Sequence, residues 1–322
     1  MVYIITKNDD SRRIDRIIQK LCPELSMGFI FKCLRTGKIR LNKNKIQPSV
    51  KARTGDELSI NIPDLPDKNS EKLPEIDRSA VKFIKPLILL ENSHILALNK
   101  PKGLLVHGNQ SLEEMVQNYL MPKIPSSLSF TPGPLHRLDR NTTGILFFSV
   151  SLEGAREFAH IFKNRLCEKY YLCLCDGIIE TATTWEDNIE RDSGSKLSFA
   201  SENTAARKAI TRVIPVFKGK KHTLALMRIY TGRTHQIRIQ AALHNHPLTG
   251  DAKYRGSRQL PGYVLHAAAF KLKEPSEIAG FRQLTAPLPA SAEATLKNVF
   301  NAAALKKAMQ VLNRELHHFR GE

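Results

Sequence analysis

Asp139 is the residue in this 322-residue chain best placed to do chemistry. It lies in Pro134-Leu135-His136-Arg137-Leu138-Asp139-Arg140-Asn141-Thr142-Thr143-Gly144, between two arginines. The apolar run Ile145-Leu146-Phe147-Phe148 that follows reads as a buried strand. Asp139 therefore sits on a polar turn at the mouth of a stiff element. A cation within a few Å lowers an aspartate pKa by roughly 1–3 units. Such a carboxylate stays ionised and is usable as a nucleophile or general base. Taken alone, an aspartate in a turn more often just accepts hydrogen bonds from nearby backbone amides.

Three other stretches carry polar groups at suggestive spacing. Thr231-Gly232-Arg233-Thr234-His235-Gln236-Ile237-Arg238 joins a strand to a helix, too polar for a core and too dense for an ordinary cap. Lys100-Pro101-Lys102-Gly103-Leu104-Leu105-Val106-His107 is a loop stiffened by proline, its lysines and histidine suited to a phosphate backbone. In Glu168 to Gly177, strand alternation puts Tyr171, Cys173 and Cys175 on one face and Leu172 and Leu174 on the other. A strand tyrosine is ordinarily core. His235, His244 and His246 lack the spacing of a zinc-protease helix, and the five cysteines are odd in number and scattered, so no metal site is expected. Free thiols in a reducing cytoplasm are the simple reading.

His136-Arg137-Leu138-Asp139, two variable residues, then Thr142-Thr143-Gly144 resembles the signature of the RluA/RluC family of RNA pseudouridine synthases, with Thr143 where serine is usual. Threonine keeps the hydroxyl. The Lys100–His107 run, Lys169-x-Tyr171-Leu172, the Thr231–Arg238 motif, Gly250-Asp251-x-x-Tyr254, Val264-Leu265-His266-Ala267 and Leu284 to Pro289 look like further landmarks of that family. The resemblance implies isomerisation of uridine to pseudouridine in RNA, without cofactor. The bond to N1 breaks, the base rotates, and C5 joins C1′. Asp139 would attack C1′, or take a proton while a glycal forms. Tyr171 would stack on the uracil and assist proton handling at C5. Arg233, the first arginine of its motif, would pair with Asp139. The target base must flip out of its helix, at a cost of a few kcal/mol, and Arg137 would fill the vacated stack. His136, Arg140, Lys100 and Lys102 would contact RNA beside it.

The elements that position these groups follow from periodicity. Ile14, Ile17, Ile18 and Leu21 form one helical stripe, and Met27, Ile30, Phe31 and Leu34 a second. Leu87–Glu91 and Ile95–Asn99 read as paired strands, Leu112–Leu120 as a helix, and Ser151–Leu166 as a helix capped by Ser151, with Leu152, Ala155, Phe158, Ala159 and Phe162 on its buried face. Residues 181–204 read as a hairpin or loop, 208–213 and 224–230 as strands, and 291–322 as helix. Short strands interleaved with few helices argue α+β. The family implies a mixed, mostly antiparallel β-sheet with flanking helices.

Charge names the class of partner. Lys plus Arg number 49 against 31 Asp plus Glu, a net of +18, which suits a polyanion. Residues 1–62 alone hold 13 Lys plus Arg against 6 Asp plus Glu. No apolar run approaches the roughly 18 residues of a membrane span, and Val2-Tyr3-Ile4-Ile5 is too short for a signal peptide. Ser11 to Ile62, with Gly37-Lys38-x-x-x-Asn42 and Gly55-Asp56-Glu57, resembles an S4-type RNA-binding domain. On that resemblance Arg12, Arg16, Lys32, Arg35, Lys38 and Arg40 would meet RNA. The expected organisation is an S4-type domain over 1–62, a linker over 63–85 and a catalytic domain over 86–322. The expected protein is a cytoplasmic monomer acting on 23S rRNA or a precursor of the large subunit. The same chemistry on tRNA, a non-catalytic assembly factor and a nuclease are the competing readings.

Overall fold

A computed structural model of the chain describes residues 1–63, 65, 78–191, 198–200 and 206–317. The N-terminal unit opens with β1 (Val2–Ile4), a strand the sequence reading does not anticipate. The apolar stripe of α1 (Ile14–Leu21) packs on Ile30, Cys33 and Leu34 of α2 (Met27–Thr36). The Ser26 hydroxyl accepts from the Phe29 amide at the start of α2, and Gly37, at φ 79°, ends it in the left-handed region that glycine reaches without a Cβ clash. β2 (Ile39–Leu41) and β3 (Glu57–Ile60) complete an antiparallel sheet of order β1-β3-β2. Asn42 joins the two sequence landmarks: its Oδ1 accepts from the Glu57 amide and its Nδ2 donates to Asp56, both at 2.8 Å. From Leu25 to Gly55 there are eight Lys and Arg and no acid, and Lys32, Arg35, Lys38 and Arg40 are exposed.

The linker expected over 63–85 lies partly outside the described residues. Its last third is not linker: Arg78–Ile84 form α3, whose Ile84 is fully buried in the main core beside Val116 of α4 (Leu112–Leu120). A helix of seven residues is too short for its apolar period to stand out in the sequence.

The larger unit is built on one mixed sheet. Its strands are β4 (Ile88–Glu91), β5 (Ile95–Lys100), β6 (Thr143–Ser149), β7 (Cys167–Asp176), β8 (Thr183–Arg191), β9 (Ser198–Ala200), β10 (Arg207–Lys218), β11 (His222–Ile229), β12 (Leu265–Leu272) and β13 (Gln283–Thr285). The order is β4-β5-β6-β12-β7-β11-β10-β8-β9, with β13 on β12. Among the described strands only β6 and β12 run parallel. At that junction Gly144 has φ 104°, and a Cβ there would stand 2.3 Å from the Ala267 carbonyl oxygen, so glycine is what admits β12 directly behind the Asp139 turn. The Thr143 hydroxyl spans the same seam to His266 Nδ1 at 2.8 Å, which gives the retained hydroxyl its structural use.

Alternation on β7 separates two cores. Tyr171, Cys173 and Cys175 pack with α4 and with α6 (Gln236–Leu243). Tyr170, Leu172 and Leu174 pack under α7 (Ala290–Val299) and α8 (Ala302–His317), the helices of the C-terminal region. On β6, Phe147 is fully buried against Phe158, Phe270 and Phe281. Truncating such a ring to alanine costs about 3–5 kcal/mol. α5 (Leu152–Lys163) is capped by Ser151, whose hydroxyl accepts from Gly154 at 3.0 Å. Of its expected face, Phe158 is fully buried and Phe162 packs on the same core, but Ala159 is exposed, and Gly154 and Ile161 complete the buried side.

A carboxylate ties the two units together. Asp9 is fully buried and accepts from Ser127 Oγ (2.7 Å), Leu128 N (3.0 Å), Ser129 N (2.9 Å) and Ser129 Oγ (2.6 Å). Arg12, expected on RNA, is half-buried here, its Nη1 donating to the Ser129 carbonyl at 2.9 Å. Asp9→Ala strands these donors, a loss of about 1–3 kcal/mol. Amide exchange at Leu128 and Ser129 is expected to quicken about 10- to 100-fold, while amides of β6 stay protected; unchanged exchange at 128–129 would show that the contact holds nothing.

Candidate active site

The turn Pro134–Thr142 carries Asp139 out of the seam between β5 and β6. Beneath it lies Lys100, with no exposed surface. Its ammonium donates to the carbonyls of Pro101 (3.0 Å), Arg140 (2.9 Å) and Thr142 (3.0 Å). Burial pulls its pKa down to about 8, against the opposing field of Asp139. Lys100 is thus a strut under the Asp139 turn and not the RNA contact expected. Its motif looked like a phosphate loop because composition does not reveal which lysine the fold encloses. Lys102 is exposed.

His136 also turns inward. Its Nε2 accepts from the Phe147 amide at 3.2 Å and its ring packs on Phe147 and Phe162. Burial, reinforced by Lys169, pushes its pKa down to about 3. His136 anchors the turn to β6 and does not line the cavities that Asp139 faces. The folded state holds this ring neutral, whereas the unfolded chain protonates it below its ordinary value near 6.5. Stability supplied by His136 is therefore present at pH 7 and falls as the pH drops from about 6.5 toward 3, by at most about 1.4 kcal/mol per pH unit. Urea midpoints measured over that window should fall more steeply for the wild type than for His136→Gln; parallel curves would remove His136 from the account.

The cation at Asp139 is neither of its sequence neighbours. Arg140 turns away, Nε donating to the Gly103 carbonyl at 2.8 Å, and Arg137 is exposed on the rim. Nor is it Arg233, whose Nε donates to the Lys208 carbonyl at 3.0 Å. Arg238, on the first turn of α6, donates from Nη1 to Asp139 Oδ2 at 3.0 Å. Its other two nitrogens form a fork on Asp251: Nε to Oδ2 at 2.6 Å and Nη2 to Oδ1 at 2.8 Å. Asp251 is 2% exposed, Arg238 8% and Asp139 17%. The guanidinium lies over the rings of Tyr254 and Tyr263, 4.9 and 4.6 Å from their centroids. Burial alone would lower the Arg238 pKa, but the Asp251 bonds and the nearby anionic groups outweigh it and raise it. A planar five-donor group serves both carboxylates at once, as an ammonium cannot. Sequence reasoning passed over Arg238; the signal available was Gly250-Asp251-x-x-Tyr254, whose Asp and Tyr both converge on it.

His235 Nε2 stands 3.6 Å from Asp139 Oδ1 while its Nδ1 meets the Tyr254 hydroxyl at 2.7 Å. Burial lowers the His235 pKa, opposed by Asp139. Tyr263 lines the same wall, its phenol pushed up to about 12 by burial. Asp139 faces a cavity of about 340 Å³ bounded by Leu105, His107, Arg137, His235 and Tyr263, and a recess of about 70 Å³ that reaches Tyr171. Burial, then Asp139, raises the Tyr171 pKa above its ordinary value, so the phenol stays protonated. The arrangement presents one carboxylate, oriented by a clamped arginine, with an aromatic ring beside it. Among the described residues no group of three His, Cys, Asp or Glu could hold a metal ion, and no helix is long and apolar enough to cross a membrane.

A profile of the family described as RNA pseudouridylate synthase matches residues 94–243, the span from β5 through α6. The chain is 30% identical over 254 residues to the ribosomal large subunit pseudouridine synthase D of Xylella fastidiosa, covering 78% of this chain and 73% of that one. The chain belongs to the RNA pseudouridine synthase family. The synthase is also 28% identical over 323 residues to the ribosomal large subunit pseudouridine synthase C of Escherichia coli K12, covering 94% and 97% of the two chains. A solved structure of human RNA pseudouridylate synthase domain containing 4 shares the fold, with a TM-score of 0.57 over 69% of this chain and 95% of that one, at 20% identity.

Proposed function

We propose that the synthase isomerises specific uridines in 23S rRNA of the large ribosomal subunit. The observation that carries the site assignment is Asp139 held by Arg238, itself forked on Asp251, at the floor of a cavity that opens past Arg137. The names of the relatives from Xylella fastidiosa and Escherichia coli favour rRNA over tRNA. In this reading the flipped uridine enters between Asp139 and Tyr171. Asp139 acts at the sugar, on C1′ as nucleophile or on the adjoining proton as base. Both routes need the ionised form that Arg238 orients. The Tyr171 ring stacks on the uracil. With its pKa raised, it serves as a neutral platform and hydroxyl rather than as a phenolate base. Arg137 fills the space the base leaves.

The basic N-terminal unit acts as an S4-type RNA-binding domain over 1–62, ahead of the catalytic domain. Its exposed Arg16, Lys32, Arg35, Lys38 and Arg40 supply phosphate contacts. Such contacts make binding fall with salt, by a log–log slope near −0.7 per contact on single strands. The synthase works as a cytoplasmic monomer on naked rRNA or an assembling particle.

The test is carbodiimide adduct mapping by primer extension on unmodified 23S rRNA transcript. Stops that appear with wild type, and not with Asp139→Asn, are expected. Stops on tRNA alone would move the substrate assignment. Tight RNA binding without stops on any RNA would favour an assembly factor.

A further inference from the structure

Beside the Asp139 recess lies a second cavity, of about 160 Å³, sharing Ile229 and Arg233 with it. Three cations line it: Arg165, Lys169 and Arg233. No acid does. Lys169 is the informative member. It projects from β7 two residues before Tyr171, half-buried, its ammonium 4.6 Å from the centroid of the Phe162 ring. Among the described residues it has neither a hydrogen-bond acceptor nor an ion-pair partner. The nearest carboxylate in sequence, Glu168, is engaged elsewhere, with Arg228 at 2.6 Å and the Tyr170 hydroxyl at 2.7 Å. Arg165 follows α5 at φ 56°, a left-handed conformation uncommon for a residue with a Cβ. Burial lowers the Lys169 pKa, and burial with the fields of Arg207 and Arg165 lowers that of Arg233. Holding Lys169 and Arg233 half-buried beside the exposed Arg165 with no counter-ion costs stability, and an anion bound between them would offset that cost.

We propose that Arg165, Lys169 and Arg233 form a phosphate subsite, which grips the RNA backbone at a phosphodiester next to the flipped uridine. This rests on the RNA-isomerase reading above. It gives Arg233 a part distinct from that of Arg238: Arg238 orients the carboxylate, whereas Arg233 and Lys169 fix the nucleotide strand one step away. A backbone anchored beside the Tyr171 ring limits how far the sugar can move during the isomerisation. The ligand is the pair of non-bridging oxygens of a phosphodiester, which share one negative charge and are read without regard to base.

The experiment combines protein and RNA substitutions in a double cycle. Substrate stems are made with a single neutral methylphosphonate placed in turn at the phosphates on either side of the target uridine. With wild type, one of these positions is expected to weaken binding about tenfold, the scale of one charge-assisted contact. Lys169→Met should weaken binding to the unmodified stem by a similar factor and then be indifferent to that methylphosphonate, with KM raised and kcat within about threefold. Arg165→Gln provides a second variant at an exposed position, should Lys169→Met not fold. Inorganic phosphate should raise the melting temperature of wild type more than that of Lys169→Met, and the variant without phosphate should melt no lower than wild type. Penalties from protein and RNA changes that simply multiply would overturn the subsite. So would a wild type that forms pseudouridine equally well with both phosphates neutralised. Absence of pseudouridine with wild type on unmodified RNA would instead refute the underlying reading.

Discussion

Asp139→Asn is expected to abolish pseudouridine formation, by a factor on the order of 10⁴ to 10⁶ in single-turnover rate, while RNA affinity stays within about threefold of wild type. The amide matches the carboxylate in shape. Its oxygen can still accept from Arg238 Nη1, so the turn, propped by Lys100 and pinned by His136, has no reason to move. What is lost is the negative charge, and with it both the nucleophile and the base. Removing a negative charge from a cleft that receives a polyanion should not weaken binding. Rates from quenched time courses, with affinity by filter binding on the same stem, decide it. A variant keeping more than about 1% of the wild-type rate would transfer the chemistry to another group, and His235 would be the first to test.

Arg238→Ala carries the second large effect, and it strikes stability and turnover together. It leaves Asp251, almost wholly buried, without its two charged donors and frees Asp139 from its orienting bond. Breaking a buried pair by removing one partner costs about 3–5 kcal/mol, which lowers the melting temperature by an amount on the order of 10 °C. Arg238→Lys should recover part of the stability and little of the rate, because a single ammonium cannot fork on Asp251 and still reach Asp139. Asp251→Asn tests the same chain one link further out, through a slower rate at intact binding. Calorimetry and single-turnover rates measured side by side check these expectations. The pairing would be misassigned if Arg233→Gln, not Arg238→Lys, removed turnover while leaving RNA affinity untouched.

The contrast between those two arginines shows where reading a sequence stops. They stand five residues apart in one motif, and either could have met Asp139. The choice depends on α6 beginning at Gln236, which aims the third residue of the helix across the sheet, whereas Arg233 precedes the helix and lies toward β10. That contact spans 99 positions along the chain, and no local period encodes it. Lys100 and His136 teach the same lesson through burial. Both are polar residues in a polar motif, and only the packing of β5 against β6 reveals that one props the turn and the other pins it.

By itself, the sequence determined what depends on neighbours a few residues away. The alternation of β7 set Tyr171 apart from Tyr170, the apolar run after Gly144 placed Asp139 at the mouth of a buried strand, and the stripes of α1 and α2 and the cap at Ser151 marked helices. Those follow from the fixed periods of strand and helix and from short-range hydrogen bonds. Tertiary structure alone decided which arginine serves the carboxylate, which lysine is enclosed, and how Asp9 joins the basic unit to the larger one. Each of these unites residues distant in sequence, and each depends on desolvation, which exists only once the layers have closed.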